Sequence, residues 1–351
     1  MSAYLDPSAQ WRTPPEVATV AVVIPFYNGA DFVERALASV FQQTRPAEEV
    51  IVVNDGSSNA QREALGLLAS RYPMRIVDKE NGGQGSARNA GVAASSAAYI
   101  CFLDQDDFYL PDHIDVLLKA IPPQDRLFGF VYADLCEADA QGHIVRTSVV
   151  KGEATHPKRD IFDLLRHDMF VLPSASLLSR TAFESVGGFD AQFRGCEDDD
   201  LFLRIFRAGF SNHFVDQPVT VWCMHTESTS YGIHMVRSRL RFFRKLVAMY
   251  PDDPRRGRFH LRDQLIPRFE RLFIDHVIES RKAGDSHRDE LVGILLEYEK
   301  TVLASPTVSR WHKRKLKLLV LLARRSPLGF IRAMGALTRF PGLRQLRRML
   351  G

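Results

Sequence analysis

From residue 19 onward, short apolar runs rich in β-branched residues alternate with longer stretches of helical period. That rhythm restricts the chain to an α/β sheet with parallel strands. TVAVVIPFYN (19–28) reads as a buried first strand, because it is apolar on both faces. In DFVERALASVFQQ, Phe32, Val33, Ala36, Leu37, Val40 and Phe41 share one stripe behind Asp31 as cap, which predicts a helix. EVIVVNDGSS (49–58) is a second buried strand ending in turn chemistry, and QREALGLLASRY a second helix. MRIVDKENGG adds a third strand and loop, SARNAGVAAS a short helix, and AAYICFLDQDD a fourth strand ending in carboxylates. The βαβαβ unit closes near residue 107.

After a helix in YLPDHIDVLLKAI the rhythm changes. FGFVYADLCEADAQGHIVRTSVV predicts two strands around a polar, glycine-containing turn. A helix near 160–168, a strand near 174–179, a helix opening with CEDDDLFLRIFRAG and a last strand in HFVDQPVTVWCMH follow. Beyond about residue 234 the pattern is helix after helix, with no internal repeat. The 351 residues are 45% hydrophobic and 25% charged, which excludes disorder as the overall state. Cys101, Cys136, Cys196 and Cys223 lie too far apart for a disulfide scaffold or structural zinc. MSAYLDPSAQWRTPPEVA lacks a basic start followed by an apolar core, and no apolar run approaches the ~18–20 residues of a membrane span, so a cytoplasmic location is expected.

Ligands of open α/β sheets bind at the carboxyl ends of the strands. Three such ends are polar here: Pro25, Tyr27 and Asn28; Asn54 and Asp55; Asp104, Asp106 and Asp107. Turn chemistry accounts for any one of them, but three together point to binding. Three aspartates within four residues repel one another unless a cation compensates them. Carboxylates shared with substrate phosphates are how Mg²⁺ and Mn²⁺ are usually held. The competing reading is an acidic helix start before PDHIDVLL. NGGQGSARNAG supplies glycines and a helix start that let backbone approach a nucleotide, with Arg88 as its cation. It matches neither G-x-x-x-x-G-K-[ST] nor G-x-G-x-x-G. A second acidic cluster, Glu197 to Asp200, opens a helix whose dipole keeps a carboxylate ionised, as a general base requires. Capping explains one acid but not four in a row.

In this order and spacing, VVIPFYN, VNDGSS, NGGQGSARNAG, FLDQDD, GGFD and CEDDDLFLR make the chain resemble the family 2 glycosyltransferases over about residues 19–230. The resemblance implies the GT-A fold, a Rossmann-like nucleotide-diphospho-sugar transferase architecture with a mixed sheet, followed by an α-helical C-terminal extension. The expected organisation is an N-terminal extension (1–18) and a catalytic domain (19–233) divided into a donor-nucleotide half (19–107) and an acceptor half (108–233). A helical region (234–351) follows. The resemblance also implies inverting transfer of one sugar from a nucleotide diphosphate sugar, most commonly a UDP-sugar, assisted by Mn²⁺ or Mg²⁺. Carried over by motif, Pro25, Tyr27 and Asp55 would line the nucleoside pocket, with Gly83 and Arg88 beside it and Asp104 and Gln105 completing the donor site. Asp106 of the DXD motif and His225 of WCMHTESTS would hold the metal. Glu197 would face the acceptor and Asp198 would be the base, with Asp199 and Asp200 as alternative registers. The Q-x-x-R-W signature of polymerising members does not follow Asp198, which favours single addition to a glycan or lipid-linked glycan in surface polysaccharide biosynthesis. Two other readings are a non-catalytic nucleotide-sugar-binding scaffold and a sugar nucleotidyltransferase, whose basic, glycine-rich N-terminal phosphate loop VVIPFYNGA lacks.

Residues 310–351 contain twelve basic and no acidic side chains, so the formal net charge of +4 conceals a basic tail behind an acidic body. Phe330, Ile331, Met334 and Leu337 share a helical stripe, and Leu343, Leu346 and Met349 continue an apolar face beside Arg344, Arg347 and Arg348. Basic amphipathic helices lie on anionic membranes, so peripheral attachment to the inner face of the cytoplasmic membrane is expected. Two readings compete: LKLLVLLA packs on the body, or the basic face binds nucleic acid, which a glycosyltransferase does not require.

Overall fold

The computed structural model describes residues 18–224 and 232–325. His225, expected at the metal, and the apolar stripes after residue 325 lie outside the described residues. The donor half is the expected alternation. It runs β1 (Val20–Phe26), α1 (Ala30–Phe41), β2 (Glu49–Asp55), α2 (Asn59–Leu68), β3 (Arg75–Lys79), α3 (Gln84–Ala93) and β4 (Tyr99–Phe102). β1 is buried along its whole length, which is why its sequence is apolar at successive positions and not at alternate ones. The inner stripe of α1, Val33, Ala36, Leu37 and Val40, packs with Val20, Val22, Ile24 and Phe26 in the main core.

The second half contains β5 (Phe108–Tyr109), α4 (His113–Lys119), β6 (Phe128–Ala138), β7 (Ile144–Arg146), α5 (Val150–Glu153) and α6 (Ile161–Arg166). β8 (Ser176–Ser179), α7 (Arg180–Ser185), α8 (Glu197–Arg207) and β9 (Ser211–Cys223) follow. One nine-stranded sheet runs β3-β2-β1-β4-β8-β6-β9-β5, with β7 paired to β6. Strands β3, β2, β1 and β4 are parallel, whereas β8 pairs antiparallel with both β4 and β6. The sheet is therefore mixed, and its direction reverses beside β4. The fourth strand stops at Phe102, so the aspartates that follow lie in the turn leading to β5.

Four longer helices follow: α9 (Ile233–Met249), α10 (Ile266–Ala283), α11 (Arg288–Ala304) and α12 (Arg310–Arg325). The chain divides into two compact units, with the boundary between Ser238 and Arg239 inside α9 and residues 165–167 grouped with the second unit. That unit has its own aromatic core, in which Phe243 lies 5.4 Å from Phe269 and 5.0 Å from Tyr298, centroid to centroid.

Candidate active site

The carboxyl ends of β1, β2 and β4 meet as the strand order requires. Gln105 clamps the end of β1: its Oε1 accepts from Tyr27 N at 2.9 Å and its Nε2 donates to Tyr27 O at 3.2 Å. Tyr27 is 50% exposed and free to meet a ligand ring, whereas Pro25 lies within buried β1. Asp55 is buried and its carboxylate is engaged, accepting from Lys79 Nζ at 2.6 Å, Gly82 N at 2.9 Å and Gly83 N at 2.7 Å. Its main action is thus to hold the Asn81–Gly83 loop in shape. Gly83 is at φ 87°, a left-handed conformation that favours glycine, where it precedes α3.

Arg88 is buried behind this loop, not displayed on a surface helix. Nη2 donates to Asp104 Oδ1 at 2.6 Å and Nη1 to Glu197 Oε1 at 3.1 Å, while the guanidinium lies 5.3 Å from the Phe189 ring centroid. Burial disfavours the cation, but the carboxylates of Asp104 and Glu197 outweigh it and raise the Arg88 pKa. One side chain therefore joins residues 16 and 109 positions away, tying the donor-side motif to the second acidic cluster.

The three aspartates after β4 separate by role. Asp107 is buried and accepts from Cys223 N at 3.0 Å, latching the approach to β5 onto the end of β9. Burial, then the charges of Asp106 and Asp104, push its pKa well up. Asp104 and Asp106 are half-buried. Among the described residues, the buried Arg88 guanidinium faces the carboxylates of Asp104 and Glu197 and feels the charge of Asp198. Two hard oxygen donors in such a setting suit Mn²⁺ or Mg²⁺, with phosphate and water completing the shell. Among the described residues no group of three potential ligands is gathered at one point.

The first turn of α8 gives the four acids different surroundings. Asp200 is buried against Arg204, whose Nε donates to it at 2.8 Å, and buried Asp199 accepts from Met169 N at 3.3 Å. Glu197 is held by Arg88, and its other oxygen, Oε2, is buried with no hydrogen-bond partner. Asp198 is the half-buried member. Desolvation, followed by the charges of Glu197 and Asp199, raises its pKa well above the ordinary carboxylate range. Cys196, which precedes the helix, and Phe170, in the loop that supplies Met169, have positive φ values of 58° and 47°. Backbone strain of this kind gathers at functional sites.

Sequence reasoning did not single out Arg194 or Lys79. Arg194 Nη2 donates to Asn81 Oδ1 at 3.2 Å, and its side chain borders Gly83. A cation between GGFD and CEDDD was the available signal.

A family profile described as "Glycosyl transferase family 2" matches residues 21–187, and one described as "N-terminal domain of galactosyltransferase" matches residues 173–228. Over 199 residues the chain is 30% identical to a hyaluronan synthase of Pasteurella multocida, a match covering 56% of this chain and 20% of that one. A relative from Rickettsia conorii is also longer, the match covering 61% of this chain and 35% of that one. Among solved structures, S. aureus TarS 1–349 in complex with UDP-GlcNAc superposes with a TM-score of 0.58 at 14% identity, covering 90% of this chain and 92% of that one. PcManGT, a mannosyltransferase from Pyrobaculum calidifontis in complex with GDP-Man and Mn²⁺, gives 0.53 at 17% identity over 87% and 86%.

Proposed function

Because the chain carries a family 2 glycosyltransferase domain with the GT-A fold, we propose that it moves one sugar from a nucleotide diphosphate sugar, a UDP-sugar in the first instance, to a hydroxyl of a glycan acceptor with inversion. The observation that carries this reading is the Arg88 bridge, which joins Asp104 of the acidic turn to Glu197 and so brings that turn and the half-buried Asp198 together. Tyr27, Gln105 and the Asp55-braced glycine loop receive the nucleoside, with Arg194 at its edge. Asp104 and Asp106 hold the dication, which when bound neutralises charge developing on the leaving diphosphate.

Asp198 Oδ1 accepts from Asp199 N at 2.9 Å, leaving Oδ2 for the acceptor. The acceptor hydroxyl oxygen attacks the anomeric carbon as its proton passes to Asp198 and the bond to the diphosphate oxygen breaks. A single displacement inverts the centre. Glu197, next to Asp198 and held by Arg88, supports the acceptor side.

The acceptor we infer is a lipid-linked glycan of a surface polysaccharide, met at the inner face of the cytoplasmic membrane by the basic 310–351 segment. A thermal-shift screen of UDP-, GDP- and dTDP-sugars with and without Mn²⁺ tests the donor reading. A true donor at about 100 times its dissociation constant should add ~2.7 kcal/mol of stability, and the shift should require Mn²⁺ or Mg²⁺. No shift with any nucleotide sugar would overturn it.

A further inference from the structure

Helix α12 divides its side chains between two faces. Leu316, Val320 and Ala323 are buried, and His312 Nε2 and Lys315 Nζ reach Glu270 of α10 at 2.7 and 3.8 Å, which fixes the rotation of the helix. The opposite stripe carries Trp311, Arg314, Leu318, Leu321 and Arg325 at helical spacing. Trp311 is 72% exposed, Leu318 56% and Leu321 45%. An outer face serving only to meet water would be polar at these positions.

The same helix holds seven basic residues and no acid. Arg310, Lys313, Arg314 and Arg325 meet no carboxylate among the described residues. Two demands thus fall on one stripe: large apolar side chains to remove from water, and positive charge to neutralise. Nucleic acid would answer only the second. An anionic lipid surface answers both, with headgroup phosphates meeting the guanidinium groups while the indole and leucines sink to the level of the first methylenes. At 16 residues the helix is about 24 Å long, and no described helix is long and apolar enough to cross a bilayer.

We propose that the outward stripe of α12 is a docking face for an anionic bilayer, with the helix lying in the membrane plane. Trp311, Leu318 and Leu321 insert, and Arg314 and Arg325 bind headgroups. This sharpens the membrane part of the reading above and does not depend on the catalytic part.

The test uses the full chain with Trp11→Phe and Trp222→Phe, so that Trp311 alone reports, and vesicles of POPC or 7:3 POPC:POPG. Binding to the anionic vesicles should shift Trp311 emission to the blue and expose it to quenching by brominated lipid, with neither change on POPC. Leu318→Gln/Leu321→Gln should weaken partitioning about tenfold. Arg314→Glu/Arg325→Glu should weaken it by about fivefold or more per position. Melting temperatures and the nucleotide-sugar shift should stay unchanged in both, which separates this outcome from a failure of the catalytic reading. Absence of vesicle binding, binding with unshifted Trp311 emission, undiminished binding by both variants, or tighter binding to a 20-base-pair DNA duplex would each overturn the proposal.

Discussion

Arg88 shows how little a residue's neighbours in sequence reveal of its work. Read locally it is the lone cation of a glycine-rich stretch; folded, it is buried between Asp104 and Glu197. Removing it strands two carboxylates, so Arg88→Met should cost about 3–5 kcal/mol in urea unfolding at neutral pH. Arg88→Lys keeps the charge but loses the fork, so it should cost less than half as much while turnover falls about a hundredfold and UDP affinity changes little. Equal losses of affinity and turnover would reduce Arg88 to a nucleotide contact. The motif places the base on Asp198 with Asp199 and Asp200 as alternative registers, because a continuous run of acids does not say which of them face partners. The hydrogen bonds to Asp199 and Asp200 separate them. With its pKa raised by desolvation and by Glu197 and Asp199, Asp198 is ionised, and competent as a base, only above that raised value. Turnover should climb with pH through a carboxyl pKa above the usual ~4 and then level off. Stability should move the other way, because the folded state binds this proton more tightly than the unfolded one and loses stability as pH rises through the folded value. Asp198→Asn should therefore abolish turnover while leaving the melting temperature at pH 8 equal or higher. Substantial residual turnover would assign the base elsewhere.

At the scale of elements, legibility followed burial. β1, β2 and α1 were readable because burial on both faces of a strand, or on one face of a helix, writes a period into the sequence. The two-residue β5 was not, since its existence depends on pairing with Thr220 and Val221, over a hundred residues away. Nor does a local period carry strand direction. β8 looks like any short apolar run, yet it runs antiparallel to β4 and turns a parallel sheet into a mixed one. The seating of α3 has a sharper sequence mark. Gly91 lies against the sheet so closely that a Cβ there would overlap Val23 and come within 3.1 Å of Val53 Cγ2. β-Branched neighbours cannot swing aside, so Gly91→Ala should destabilise by about 1–3 kcal/mol in chemical denaturation. The added Val23→Ala should recover part of that loss. Because α3 also carries Arg88, the single variant should lower turnover more than the double one does. An unchanged unfolding midpoint in Gly91→Ala would mean that the helix does not seat tightly against Val23.

For the whole molecule, the charge of +4 hides an unequal distribution: up to residue 309 there are 34 basic and 42 acidic residues, and after it twelve basic and none acidic. Sequence alone left open whether LKLLVLLA packs or stays available for a partner. The structure gives both answers to one helix, because Leu316, Val320 and Ala323 face inward while Leu318 and Leu321 face out. Cutting the chain at 309 therefore changes two things at once. It turns the protein acidic, so it should bind an anion exchanger at pH 7 where the full chain does not. It also uncovers the core surface that Leu316, Val320 and Ala323 close, at a cost of about 4–6 kcal/mol, and leaves Glu270 without His312 and Lys315. The shortened chain should melt at lower temperature and aggregate on heating. Its failure to bind vesicles would then report lost packing as much as a lost docking face. Substitutions confined to Leu318, Leu321, Arg314 and Arg325 alter the surface without opening the core. If the chain ending at 309 instead kept its melting temperature, α12 would contribute nothing to the second unit, and the inward assignment of its Leu316 stripe would fall.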